Sequence, residues 1–271
     1  ILFLSSDLQN SERHKRELTF YRGKRSLPIF TFPDWETLPY DHFSPHQDLV
    51  SERLEALYQL ANLKQGIVIA SVSTSMHRLL PSSYLHAHTL ILSEQDKHDL
   101  TQFRDQLTKA GYHHVDQVME HGEYALRGSI LDIYPTGSAK PYRIEFFDDE
   151  IERMRSFDPE TQRSLEKVDH IRFLPAREYP LTEESITHFR QQWRARFAGN
   201  PQESPFYQNI SQAQPASGVE YYLPLFFEKT HTLYDYLPDN TLIICDEQLS
   251  TSAETFQNEA AHRFEQLRYD Q

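Results

Sequence analysis

Cysteine is almost missing from this chain: Cys245 is the one thiol among 271 residues. An internal disulfide is therefore excluded, as is any zinc site that needs paired thiolates. Such sparing use fits a reducing cytoplasm. Glycine is scarce too, with eight in all. A phosphate-binding loop needs Gly-x-x-x-x-Gly-Lys-Ser/Thr, because glycine amides must approach the phosphates and the lysine must neutralise them. No such run occurs; Gly137-Ser138-Ala139-Lys140 lacks the first glycine and falls between expected strands. There is no Gly-x-Ser-x-Gly elbow for a nucleophilic serine. No apolar run approaches the roughly 20 residues that span a bilayer, and Ile1–Asp7 is too short and too poor in basic residues for a secretion signal. Positive charge is in deficit, 27 Lys and Arg against 40 Asp and Glu, for a net −13. Because phosphate-backbone affinity draws on Lys and Arg, this balance argues against electrostatic binding of nucleic acid by the chain as a whole. The acids form no long run, so they read as a distributed, solvated surface. With no Met at position 1 and a strand-like opening, the chain is expected to be a fragment.

What is present suits a globular α/β protein of one to three domains, with a core large enough to fold without staples. Leu2–Ser6 reads as a buried strand, and Ser6–Asp7 as the cap of a helix over Leu8–Tyr21. Pro28–Phe32 is a short strand, and Trp35–Asp48 an unusually aromatic loop. The spacing of Leu54, Leu57, Tyr58 and Ala61 predicts a helix over Ser51–Leu63. Ile67–Val72 is a buried strand, followed by a short helix over Thr74–Leu80 that Pro81 stops. This alternation argues a parallel sheet. After Thr89–Ser93 and a helix over Asp99–Ala110 capped by Gly111, strands crowd from Val115 to Asp158. Glu183–Phe197 is an amphipathic helix, Gly199–Ser217 a loop, Leu242–Asp246 a buried strand, and Ser252–Leu267 a helix.

Few residues suggest catalysis. Leu242-Ile243-Ile244-Cys245-Asp246-Glu247 has the shape of a Walker B strand, in which the Asp would hold magnesium and the Glu would position water. A strand end with two solvated acids is the alternative, and without a phosphate loop it is the better one. Asp148, Asp149 and Glu150 are consecutive and point in different directions, which suits a solvated turn better than a cation site. His86/His88 and His113/His114 lack converging partners and read as loop or surface residues. Trp35 and Tyr40 invite base stacking, yet they lie among Asp34, Glu36 and Asp41, so a packed loop is expected.

The stretch from Glu120 to Asp158 is the most informative. Leu131 and Ile133 alternate with Ile130 and Asp132, which predicts short strands, broken by a turn over Pro135–Pro141. Arg127 and Arg143 are read as opening successive strands. Alternation puts Arg143, Glu145 and Phe147 on one face and Ile144 and Phe146 on the other. With the latter pair in a core, Phe147 is an exposed aromatic beside an arginine. Arginine's planar fork suits bidentate carboxylate contacts, and arginines around an aromatic anchor are typical of interface hot spots. The pattern leaves a second reading open, in which Arg127 and Arg143 pair internally with Glu145 or Asp132 and Phe147 is core.

This block resembles the protein-binding domain shared by the repair protein UvrB and the transcription-repair coupling factors. Other fragments resemble the N-terminal region of the latter family: Trp35–Asp41, Phe43–Asp48, Gly111–Tyr124, Gly218-Val219-Glu220-Tyr221 and the strand ending at Asp246-Glu247. They occur in order along the whole chain. UvrB adds a long aromatic β-hairpin after its first aromatic segment, whereas only seven residues separate Tyr40 from Asp48 here. That is too few for two strands of roughly five residues and a turn, which favours the coupling factors.

The resemblance implies a degenerate RecA/helicase-like parallel-sheet lobe (residues 1–88 and a truncated 176–271) interrupted by an inserted α+β domain like UvrB domain 2 (residues 89–175). It implies a non-catalytic adaptor for UvrA, with Arg127, Arg143 and Phe147 at contact positions and Asp246 and Glu247 as a vestigial Walker B pair. No cofactor or metal is expected, since ATP and magnesium belong to a motor region absent from this chain. RNA polymerase and double-stranded DNA are implied as partners through absent domains only. A cytoplasmic monomer without a membrane partner is expected, with a docking face that the absent domains would otherwise mask. The rival is a fragment of a UvrB-type ATP-dependent DNA helicase, with a phosphate loop upstream of Ile1.

Overall fold

Short apolar runs alternate with helices in the first part of the chain, and the elements there follow that alternation. The computed structural model describes residues 1–269. Its strands are β1 (Leu2–Ser5), β2 (Ile29–Thr31), β3 (Ile67–Ser71), β4 (Leu90–Ser93), β5 (His113–His114), β6 (Glu123–Arg127), β7 (Ile130–Ile133), β8 (Tyr142–Phe147), β9 (Glu150–Phe157), β10 (Ser164–Lys167), β11 (His170–Phe173) and β12 (Ile243–Cys245). Its helices are α1 (Leu8–Arg22), α2 (Gln47–Asn62), α3 (Val72–Ser75), α4 (Ser82–Ala87), α5 (Leu100–Lys109), α6 (Glu183–Arg196), α7 (Pro205–Ser211) and α8 (Leu249–Tyr269). The chain divides into two compact units, one from residues 1–45, 56–82 and 216 onward, the other from residues 46–55 and 83–215. Among the described residues no helix is long and apolar enough to cross a membrane.

The first unit holds an all-parallel sheet in the order β12-β1-β3-β2. Parallel neighbours need crossovers rather than hairpins, and helical connections provide them. Leu2, Leu4, Val68, Ile69 and Ala70 are buried, as expected of strands covered on both faces. The edge strand departs from the sequence reading. Leu242–Asp246 was expected to be buried, yet Leu242, Ile243 and Ile244 are exposed, because β12 pairs only with β1 among the described residues. The helix expected over Thr74–Leu80 is one turn, α3. There the hydroxyls of Ser71, Ser73, Thr74 and Ser75 bond one another and nearby backbone, a competition that shortens helices. The aromatic loop is packed as expected. Trp35 stacks on His77 at 4.6 Å and meets Tyr221 edge-on at 5.1 Å, while the Tyr221 hydroxyl donates to the Thr37 carbonyl at 2.6 Å. Gly218 has φ +76°, and a Cβ there would sit 2.3 Å from the Asp41 carbonyl oxygen, so only glycine closes this contact.

The second unit is built on a six-stranded sheet in the order β10-β9-β8-β7-β6-β5, antiparallel except for the β5–β6 pair. Its inner face, with Tyr124, Leu131, Ile133, Ile144, Phe146, Ile151 and Met154, packs with Phe103 and Leu107 of α5 and with the β4–β11 pair. Asp99 caps α5 by accepting from the Gln102 amide at 2.8 Å. The segment expected as a loop over Gly199–Ser217 contains α7, started by Ser204 as cap and Pro205 in the first turn. Its Gln- and Ser-rich composition hid a valid start signal, and buried Tyr207 packs near Phe189 of α6 at 5.9 Å. Helix α2 begins at Gln47, four residues before the expected Ser51. Its early turns bring the Arg53 guanidinium to Glu178 at 2.7 Å, with both side chains fully buried. Removing one member of such a pair strands the other charge out of water. Arg53→Ala is therefore expected to lower stability by about 3–5 kcal/mol, read as a drop in the urea midpoint with an unchanged slope.

Candidate protein-docking site

Two hairpins of the six-stranded sheet turn at the same end. The β6–β7 turn uses Gly128, with φ +62°, between paired Arg127 and Ile130. A two-residue turn with a left-handed residue matches strand twist, and glycine adopts it without strain. The β8–β9 turn uses Asp148, with φ 54°, between paired Phe147 and Glu150. The Phe146 amide ties the two tips by donating to the Ser129 carbonyl at 2.9 Å. The face opposite the core carries two cross-strand rungs. One runs Arg155, Arg143, Asp132 and Ala125; the other runs Arg153, Glu145, Ile130 and Arg127. Beyond them Phe147 stands 72% exposed. Ile144 and Phe146 are buried on the other face, so the strand alternation read from the sequence holds. Arg127 closes β6 rather than opening a strand, because the turn at Gly128 comes directly after it.

Asp132 organises this face. It is 0% exposed, and its carboxylate accepts from Arg143 Nε at 2.6 Å and from Arg143 Nη2 at 2.9 Å. Arg127 Nη2 bonds the same carboxylate. The internal pairing left open by the sequence therefore exists, and its partner is Asp132; Glu145 instead meets Arg153 at 3.5 Å. The Arg143 side chain is only 18% exposed, against 53% for Arg127. Arg143 also donates to the Gln162 carbonyl at 3.2 Å and lies 5.1 Å above the Phe157 ring. The hydrogen bonds it donates to the Asp132 carboxylate raise its pKa above the ordinary guanidinium value. At the far end of the same face, Val118, Ala125 and Phe157 form a small second core. The end near the hairpin tips carries half-exposed Arg127 and exposed Phe147.

The first unit contains the other residues singled out from sequence. Asp246 follows β12, and its carboxylate accepts from the Ser6 amide at 3.1 Å and contacts His14 Nε2 at 3.2 Å. Asp7 caps α1 by accepting from the Asn10 amide at 2.7 Å. Glu247 is exposed. In an open parallel sheet, ligands bind beyond the carboxyl ends of the strands and phosphates sit on helix amides. A cavity of about 650 Å³ lies there, with Asp7, Asp34, Glu36, His77, Phe256 and Glu259 in its wall and no Lys or Arg among the described residues that line it. Carboxylates already take the Ser6 and Asn10 amides, and the wall repels phosphate.

Residues 90–179 match the family model described as the UvrB interaction domain. The chain is 45% identical over 266 residues to the transcription-repair-coupling factor of Escherichia coli (strain K12), covering 98% of this chain and 23% of that protein. It is 47% identical over 247 residues to that of Haemophilus influenzae, covering 90% and 22%, and 31% identical over 263 residues to that of Bacillus subtilis, covering 91% and 22%. The chain belongs with the N-terminal region of the transcription-repair-coupling factors. It spans less than a quarter of the length of these curated relatives. Arg127, Arg143 and Phe147 lie inside the stretch matching the UvrB interaction domain, whereas Asp246 and Glu247 lie outside it.

Within this transcription-repair-coupling-factor region, the two arginines on Asp132 should behave differently. Arg143→Glu places a second carboxylate against one that is fully buried and is expected to lower stability by about 3–5 kcal/mol. Arg127→Ala leaves the Arg143 bonds in place and is expected to change stability by less than about 1 kcal/mol. Urea unfolding of the two variants, measured side by side, checks the contrast.

Proposed function

We propose that this chain is a non-catalytic, UvrB-like adaptor that recruits UvrA, so that the longer protein brings nucleotide excision repair to a stalled RNA polymerase. The observation that carries the reading is Phe147, 72% exposed at the end of the sheet where Arg127 also lies, within the match to the UvrB interaction domain. Aromatic residues and arginines are the residue types that dominate interface energetics, and arginine forks favour carboxylates on the partner. Arg143 belongs to the site as the residue that braces Arg127 and the β9–β10 turn through Asp132 and Gln162. In this reading the parallel-sheet unit is a degenerate RecA-like lobe, and the six-stranded sheet belongs to an inserted domain over residues 89–175. RNA polymerase and DNA would be engaged by parts of the longer relatives that this chain does not cover.

The rival is a fragment of a UvrB-type ATP-dependent helicase. The amides bonded to Asp7 and Asp246, and a cavity wall with acids and neither Lys nor Arg among its described residues, weigh against it. Calorimetry distinguishes the two. Phe147→Ala and Arg127→Ala are each expected to weaken UvrA binding by about 1–3 kcal/mol with melting temperatures held near that of the parent chain. Titration with magnesium ATP is expected to give no heat of binding. Unchanged UvrA affinity in both variants would remove these residues from the site.

A further inference from the structure

Arg155 stands in the same rung as Arg143 and Asp132, and its charge is unanswered. Its register partners are Arg143 on one side and Lys167 on the other. Like charges directly opposite one another across strands are destabilising. The Lys167 ammonium meets Glu94 at 2.9 Å, Arg143 holds Asp132, and Arg153 holds Glu145. Arg155 has no such partner among the described residues, and its Nε is buried without a hydrogen-bond acceptor. Asp132 already accepts three N–H bonds, two from Arg143 and one from Arg127. Buried polar groups in folded proteins are normally bonded, so an unbonded one calls for an explanation.

We propose that Arg155 is a further contact residue of the docking face and receives a carboxylate from an acidic segment of the partner protein. The inference rests on the docking reading above. A carboxylate suits the position because it can accept from the planar fork in two places and answer a rung in which two arginines share one acid. It would answer the Arg155 charge and relieve the repulsion from Arg143 in one step. Local charge also selects the partner: a carboxylate gains here, whereas another cationic surface is repelled.

Arg155→Met, Arg155→Lys and Phe147→Ala variants of the 271-residue chain test this by calorimetry with UvrA and by thermal melting. Arg155→Met is expected to bind about 10- to 100-fold more weakly, while its melting temperature stays level or rises because a repulsion is removed. Arg155→Lys keeps the charge without the fork and is expected to fall between. Parent-like affinity of Arg155→Met alongside weakened Phe147→Ala would overturn the role of Arg155 and leave the docking face standing. A fall in melting temperature that accompanies the loss of binding would make Arg155 structural and also overturn it. If the parent chain does not bind UvrA, the docking reading fails first and this inference with it. Weakened binding of a 20-base-pair DNA duplex by Arg155→Met, with UvrA binding intact, would replace the carboxylate by a phosphate and reject the protein acceptor.

Discussion

A carboxylate held out of water decides how this sheet face is built. Asp132 carries its charge at 0% exposure, and it is held there by guanidinium N–H bonds from two neighbouring strands. An isolated ion in that position would be neutralised by protonation or would disrupt the fold. The two arginines answer it and are in turn fixed by it. Arg143 is drawn inward, over Phe157 and onto the Gln162 carbonyl, so the turn between β9 and β10 is pinned to the middle of the sheet. Arg127 keeps half of its side chain in water at the hairpin tip. One buried acid thus sorts two arginines of similar sequence context into a brace and a presented group.

The parallel-sheet unit shows the same economy of charge used to opposite effect. In nucleotide-binding folds the turn after the first strand offers bare amides to phosphate. Here Asp246 takes the Ser6 amide and Asp7 takes the Asn10 amide. The fold keeps a cavity beyond its strand ends, yet the groups that would make it a phosphate site are satisfied from within. Architecture and chemistry separate at this point, which is why function has to be argued from sites rather than from fold.

Much of the architecture was legible because local signals were strong. Asp7 sat where a helix cap belongs, and the alternation of Ile144 and Phe146 against Glu145 and Phe147 named the core face of β8. Phe147 was readable as exposed for the same reason. The reach of the arginines was legible only as an open choice between Glu145 and Asp132. Asp132 looks like any polar residue in an alternating strand, and its pairing depends on register between β7 and β8, a non-local quantity set by hairpin turns. Arg155 was missed for a related reason, since its isolation is a property of every neighbour at once. The misread edge strand β12 shows the converse: an apolar run marks a strand, but burial depends on what pairs and packs beside it. The hidden helix α7 shows that composition can mask a start signal as short as Ser204-Pro205.

The most direct test of the docking account is amide hydrogen exchange of the chain with and without UvrA. Exchange reports local opening and shielding residue by residue. The account predicts that added protection concentrates at the hairpin tips around Arg127–Ile130 and Phe147–Glu150 and along β9, with the Ser6–Asn10 turn and the Asp246 segment unchanged. Protection confined to the Ser6–Asn10 turn and Asp246, with the hairpin tips unaffected, would contradict it and move the site to the parallel-sheet unit.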